Sequence, residues 1–203
     1  MKIKLYNNDI PSDIKFGNIV ALDTEAMGLN HSRDRLCLIQ ISNGNGNCYL
    51  IKINDINKKP LNLIKILKNK KILKICHYAR FDIGILNYTY NINISNIYCT
   101  KIASKLARTF TDKHGYKDIC KELLNKNIIK EQQTSDWGKI KLSLSQQKYA
   151  ATDVLYLHQL RLKLNEILIR EGRFELAQSC FDFIEHRVTL DLSGWSDIDI
   201  FKH

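Results

Sequence analysis

Four acids and a tyrosine stand at spacings that could gather a divalent cation. In the run IVALDTEAMGL, Asp23 and Glu25 are two residues apart at the end of an apolar stretch, Ile19–Leu22. Side chains alternate along a strand, so both carboxylates point to one side. Acids are costly in a buried strand unless something binds them. Two hard oxygen ligands side by side suit Mg²⁺ or Mn²⁺, and the turn at Gly28 leaves them accessible. The ordinary alternative for an isolated D-x-E is a solvated strand end. A third acid, Asp82 in CHYARFDIGIL, opens a helix whose Phe81, Ile83, Ile85 and Leu86 are apolar. The helix dipole alone would also favour an acid there. In QQKYAATDVLYLHQL, Tyr149 and Asp153 are four apart on a helix and share a face. Ala150 and Ala151 between them permit close approach of another element.

Elements able to carry these groups follow from the apolar pattern. β-rich runs occupy Lys2–Tyr6, Ile19–Thr24, Leu36–Ser42 and Cys48–Ile53, the last two joined by the turn NGNGN. A helix over Leu61–Lys68 follows Pro60, and a strand over Ile72–Cys76 comes next. Helical spacing then predicts Phe81–Tyr88, Thr100–Ala107, Tyr116–Leu124 and one long segment from Leu144 to about Glu171. Meandering strands followed by alternating helices and a strand predict an α/β fold with a mixed sheet and a helical second half. No Ser/Gly-rich linker or repeat divides the 203 residues, which read as one domain, 1–203.

Composition narrows the class. Hydrophobic residues at 44% and charged residues at 26% exclude a disordered chain and supply a core. No run approaches the roughly 18 apolar residues of a spanning helix, so no membrane partner is expected. MKIKLYNNDI shows no signal-peptide pattern, and a cytoplasmic protein is expected. Six scattered cysteines form no C-x-x-C pair and read as reduced core residues. A net charge of +10 suggests a polyanionic partner. The abundance of Lys over Arg, together with much Ile and Asn, is also what an AT-rich coding sequence would give. Charge alone therefore does not decide for nucleic acid.

The ordered set decides more than any member. D-x-E on a central strand, an Asp after a later strand and Y-x-x-x-D on a late helix resemble the DEDD superfamily of 3′–5′ exonucleases, in the tyrosine subtype. HYARFD, CTKIASKLARTFTDKHGYKDICKELL and QQTSDWGKIKLSLSQQKYAATDVLYL are similar to the ribonuclease D branch. The tail FDFIEHRVTLDLSGWSDIDIF resembles the short, stand-alone nano-RNase C group, and the helical RNA-binding domains found downstream in ribonuclease D are not expected. The resemblance implies a ribonuclease H-like sheet flanked by helices. It also implies hydrolysis of short oligoribonucleotides, dinucleotides included, to 5′-mononucleotides, and assembly as a homo-oligomer, an octamer in that group. Asp23, Glu25, Asp82 and Asp153 would then hold two divalent cations, Mg²⁺ or Mn²⁺. Tyr149 would orient the attacking water, since a phenol with a pKa of about 10 is a poor base at neutral pH. The alternatives are ribonuclease D-like processing of structured RNA, a DNA exonuclease, or a non-catalytic nucleic-acid-binding module. Retention of all four acids and the tyrosine speaks against the last.

Further residues are candidates for substrate. By the same resemblance, Leu29 would wedge between the two bases, with loop packing as its alternative. His77, Arg80 and Phe81 flank the second motif and could contact phosphate or stack on a base. On the helix from Thr100, Lys101, Lys105 and Arg108 fall at i, i+4 and i+7, opposite Ile102, Ala103 and Leu106. Part of this stripe, with His114 and Lys117, is a candidate cap for a 5′-phosphate, within the chain or across a subunit boundary; a solvated basic face is the alternative. Trp137 of the Asp136–Trp137 pair is expected to fill core, and His158 to be packed. Leu190–Phe201 is too apolar for a free end and is expected to dock on the body or a neighbouring subunit.

Overall fold

A sheet of six strands in the order β1-β4-β3-β2-β5-β6 forms the frame of the computed structural model, which describes residues 2–128 and 135–202. The strands are β1 (Lys2–Asn7), β2 (Ile19–Ala26), β3 (Leu36–Ser42), β4 (Asn47–Lys52), β5 (Leu73–Cys76) and β6 (Ile97–Cys99). β2, β3 and β4 meander antiparallel, whereas β1 lies at the far edge, parallel to β4. β5 pairs parallel with β2 and β6 parallel with β5. The mixed α/β sheet is as expected from the pattern. β6 was not anticipated: three residues in an Asn-rich stretch carry no period to detect. Gln132–Thr134 of the QQTSDW run lie outside the described residues.

The helices are α1 (Leu61–Lys68), α2 (Ala79–Tyr90), α3 (Thr100–Ala107), α4 (Tyr116–Leu124), α5 (Leu144–Leu155), α6 (Leu157–Arg170), α7 (Phe174–Asp182) and α8 (Ile184–Leu190), followed by a kinked turn, Asp191–Trp195, in which Gly194 leaves the helical path at φ 100°. The long helix expected from Leu144 to about Glu171 is thus two, interrupted at Tyr156. Two features seat α5. Ser143 and Gln146 form a reciprocal capping box at its start. The Gln146 amide also donates to Ser135 Oγ and the Asp136 carbonyl, both at 3.1 Å. α5 then packs along β2, β3 and β4.

β3 is buried along its whole length, as the central strand of a covered sheet must be. Asp23 stands opposite Gln40, and Glu25 opposite Leu38, so both acids share the face that α5 covers. A register shift between Glu25 and Ala26 ends the regular pairing at the second acid. Cys37, Cys48, Cys76, Cys99 and Cys120 are buried free thiols and Cys180 is half-buried, in line with the core reading. Among the described residues no helix is long and apolar enough to cross a membrane.

Candidate active site

Carboxylate oxygens of Asp23, Glu25 and Asp153 lie within 4.8 Å of one another. β2 supplies the first two and the last turn of α5 the third. Asp82, on the first turn of α2, sits beside this group with only 3% exposure. Its Oδ1 accepts a hydrogen bond from Thr24 Oγ1 at 2.7 Å. Thr24, the middle residue of D-x-E, is a site residue that the sequence reading passed over; its β-strand position between two acids was the available signal.

Burial and mutual repulsion push these carboxyls upward. Burial raises Asp23 well above the usual carboxylate range, with Asp82, Asp153 and Glu25 adding to it. Glu25 is raised to about 9, by burial and then by Asp153 and Asp82. Asp82 is raised to about 7 by burial, against the lowering effect of the Thr24 hydroxyl. Such a group cannot be fully ionised without a countercharge. An all-carboxylate donor set fits a hard divalent cation, which would let every member ionise.

Tyr149 shares a hydrogen bond with Asp153, one turn along α5. Burial, then the charges of Asp153, Glu25 and Asp23, hold its phenol well above the ordinary value. The phenol is thereby held in its protonated form at neutral pH, able to donate a hydrogen bond. These groups line a cleft of about 550 Å³ with Leu29, Phe81, His77 and Lys101 on its walls.

Residues 7–169 match the 3′–5′ exonuclease domain family. The chain belongs to that family. Brucella melitensis NrnC bound to pGG superimposes on this exonuclease with a TM-score of 0.96 at 48% identity, covering 100% of this chain and 99% of that one. The same protein with bound Mg²⁺ gives a TM-score of 0.96 at 48% identity, covering 100% of both chains. These likenesses place the exonuclease in the ribonuclease D-like, NrnC-like branch of the DEDD enzymes, a family that depends on divalent metals. Ribonuclease D of Gluconacetobacter diazotrophicus is 30% identical over 164 residues, 79% of this chain and 40% of that one. DNA polymerase I of Aquifex aeolicus is 37% identical over 148 residues, 72% of this chain and 24% of that one. The exonuclease thus spans less than half the length of these curated relatives.

The remaining candidate residues divide. Leu29 stands 83% exposed at the rim of the cleft, free of the packing alternative. Lys101 reaches into the cleft with its ammonium 4.3 Å from the Tyr78 ring. His77 Nδ1 lies 2.9 Å from Thr100 Oγ1. Trp137 is core, as expected, and its carbonyl accepts from the buried Lys52 Nζ at 2.7 Å. His158 packs against Gly44 and Ile19.

Three expectations need correction. Arg80 is not poised for phosphate: its guanidinium makes a bidentate pair with Asp191 at 2.6 and 2.8 Å and donates to the Ser196 carbonyl. Arg108 is not on a solvent stripe. α3 ends at Ala107, so Arg108 leaves the helical path and folds inward at 1% exposure. There it pairs with Glu122 and donates to Ser104 Oγ and the Lys113 carbonyl. Lys105 and Lys117 are exposed and lie outside the cleft lining, and His114 Nδ1 lies 2.9 Å from Ser104 Oγ, so the stripe beyond Lys101 does not line the cleft of its own chain. The tail does dock: the Asp191 carboxylate pairs with Arg80 and Arg187, Leu192 packs half-buried against the core, and backbone carbonyls add to these. Arg187 donates to the Trp195, Ser196 and Ile198 carbonyls, while Trp195, Ile198, Ile200 and Phe201 remain exposed.

Proposed function

We propose that this exonuclease hydrolyses short oligoribonucleotides, dinucleotides included, from the 3′ end to 5′-mononucleotides. The observation that carries the reading is the three-carboxylate group facing Tyr149 on the floor of a small cleft rimmed by Leu29. A relative of the same length and nearly the same fold has been solved with pGG bound.

In this reading Asp23, Glu25, Asp82 and Asp153 hold two divalent cations, Mg²⁺ or Mn²⁺. When bound, the cations supply a water of lowered pKa and charge neutralisation at the departing 3′ oxygen. The chain's own groups do the rest. Tyr149, its proton retained by the surrounding acids, orients the attacking water by hydrogen bonding. Thr24 fixes the rotamer of Asp82. Leu29 inserts between the two bases, and Phe81 and His77 face the nucleotide from the α2 side. Lys101 is a cation on the cleft wall that can meet a phosphate. The exposed apolar side chains of the tail suit a neighbouring copy, consistent with a homo-oligomer, an octamer on the resemblance.

The test is a length series from dinucleotide to structured RNA, with single-stranded DNA in parallel, in Mg²⁺ and in Mn²⁺. The expected result is fastest release of 5′-mononucleotide from the shortest RNA and none with Asp153→Ala. Preference for structured RNA ends would favour a ribonuclease D-like role, and equal rates on DNA would remove the RNA assignment. Equal activity in wild type and Asp153→Ala would overturn the site.

A further inference from the structure

α5, which carries Tyr149 and Asp153, stops at Leu155, and α6 begins at Leu157 with only Tyr156 between them. Neither proline nor glycine lies at the break. Sharp interruptions of this kind arise when a foreign group enters the i→i−4 ladder. Here the foreign group is the hydroxyl of Tyr116, at the start of α4. It donates to the Thr152 carbonyl at 2.7 Å and accepts from the Tyr156 N–H at 3.3 Å. In an unbroken helix those two backbone groups would bond each other. Tyr156 accordingly sits at φ −104° and ψ 0°. Thr152 adds to the bend by donating its own hydroxyl to the Lys148 carbonyl at 2.8 Å.

The insertion falls next to a site residue. Thr152 adjoins Asp153, whose carboxylate must meet Asp23 and Glu25 across the gap between helix and sheet. Tyr116 is 5% exposed, lines the same cleft and sets its ring 5.6 Å from that of His77. We propose that Tyr116 is a positioning residue: its hydroxyl, lodged in the backbone ladder, sets the last turn of α5 and so aims Asp153 at the other two carboxylates. Ligand constellations tolerate only about 0.5 Å of misplacement, so a closed ladder would spoil the aim. The inference rests on the reading of Asp153 as a metal ligand.

Tyr116→Phe keeps the ring and removes the hydroxyl, leaving Tyr156 N–H free to bond Thr152. Calorimetric titration of metal-free protein with Mn²⁺ should show affinity weakened about tenfold or more, the usual effect of losing an outer-shell partner. kcat on the dinucleotide should fall in step while KM stays within about twofold. The thermal midpoint of the metal-free variant should stay level or rise, because the helix ladder closes. Unchanged Mn²⁺ affinity would overturn the proposal, as would an affinity loss matched by a comparable loss of metal-free stability. Should the variant not fold, backbone carbon shifts of wild type over residues 152–156 decide: an uninterrupted helix there would overturn it, and a break at Tyr156 would uphold it. Wild type that binds no Mn²⁺ would remove the site assignment together with this inference, whereas equal binding by both proteins removes only the role of Tyr116.

Discussion

Replacing Thr24 by valine should cost the site far more than its one missing oxygen suggests. Valine keeps the β-branched shape that suits β2, so the strand itself is undisturbed. What is lost is a 2.7 Å bond from Oγ1 to a carboxylate that is 3% exposed. Hydrogen bonds to charged groups contribute about 1.5–3 kcal/mol, which converts to roughly tenfold to a hundredfold in an equilibrium. The effect has a direction. The hydroxyl favours ionised Asp82, so its removal raises that carboxyl further above about 7 and leaves it protonated more often at neutral pH. Cation affinity measured by calorimetry near neutral pH should therefore drop by that factor, and the acid limb of the pH–rate profile should move upward. Thr24→Ser, which keeps the hydroxyl, should recover most of both. Affinity within about twofold of wild type in the valine variant would refute the reasoning. So would a serine variant as poor as valine, which would assign the effect to the methyl group.

Without metal, Glu25 rises from 4.5 to about 9 and Asp82 from 3.8 to about 7, so the folded state keeps protons that the unfolded state releases. These groups' contribution to metal-free stability is fully present below about pH 4 and lost as pH rises toward about 9; scanning calorimetry should show that decline, and Mg²⁺ should raise the midpoint more at the alkaline end. Asp153→Asn should abolish hydrolysis yet raise the metal-free midpoint and flatten its pH slope, since one repelling charge is gone; a lower midpoint would contradict the repulsion argument. Leu29→Ala should leave stability within about 0.5 kcal/mol while raising KM for a dinucleotide severalfold, as read from melts and initial rates. Arg108→Met should destabilise by about 2 kcal/mol in urea titration, with the activity of the folded fraction intact, because it removes the charge-assisted bonds to Glu122 and the donors to Ser104 Oγ and the Lys113 carbonyl.

The acids were legible because their chemistry is local. A spacing of two on a strand and four on a helix places Asp23, Glu25, Tyr149 and Asp153 on shared faces whatever the rest of the chain does. Strands β2, β3 and β5 were legible for a similar reason, as apolar runs closed by turn residues. The break at Tyr156 was not, because its cause is a hydroxyl 40 residues away in sequence, and no window on α5 contains it. Arg108 shows the opposite failure: the i, i+4, i+7 count assumed a helix that ends one residue too soon. Arg80 looked available because its partner, Asp191, lies 111 residues downstream in a segment without a clear period.

The carboxylate group joins β2 to α5, and this fixes when it can exist. Asp23 and Glu25 emerge from the ribosome early, whereas Asp153 follows only after every strand of the sheet has been made. A nascent chain is tethered beside messenger RNA throughout that interval, yet it holds only part of the carboxylate set until its late helix closes over the sheet. An N-terminal fragment ending between residues 100 and 152 is a cationic polypeptide that carries Asp23 and Glu25 but lacks Asp153, and mixing it with the missing C-terminal piece should restore the cluster only through docking of the two halves.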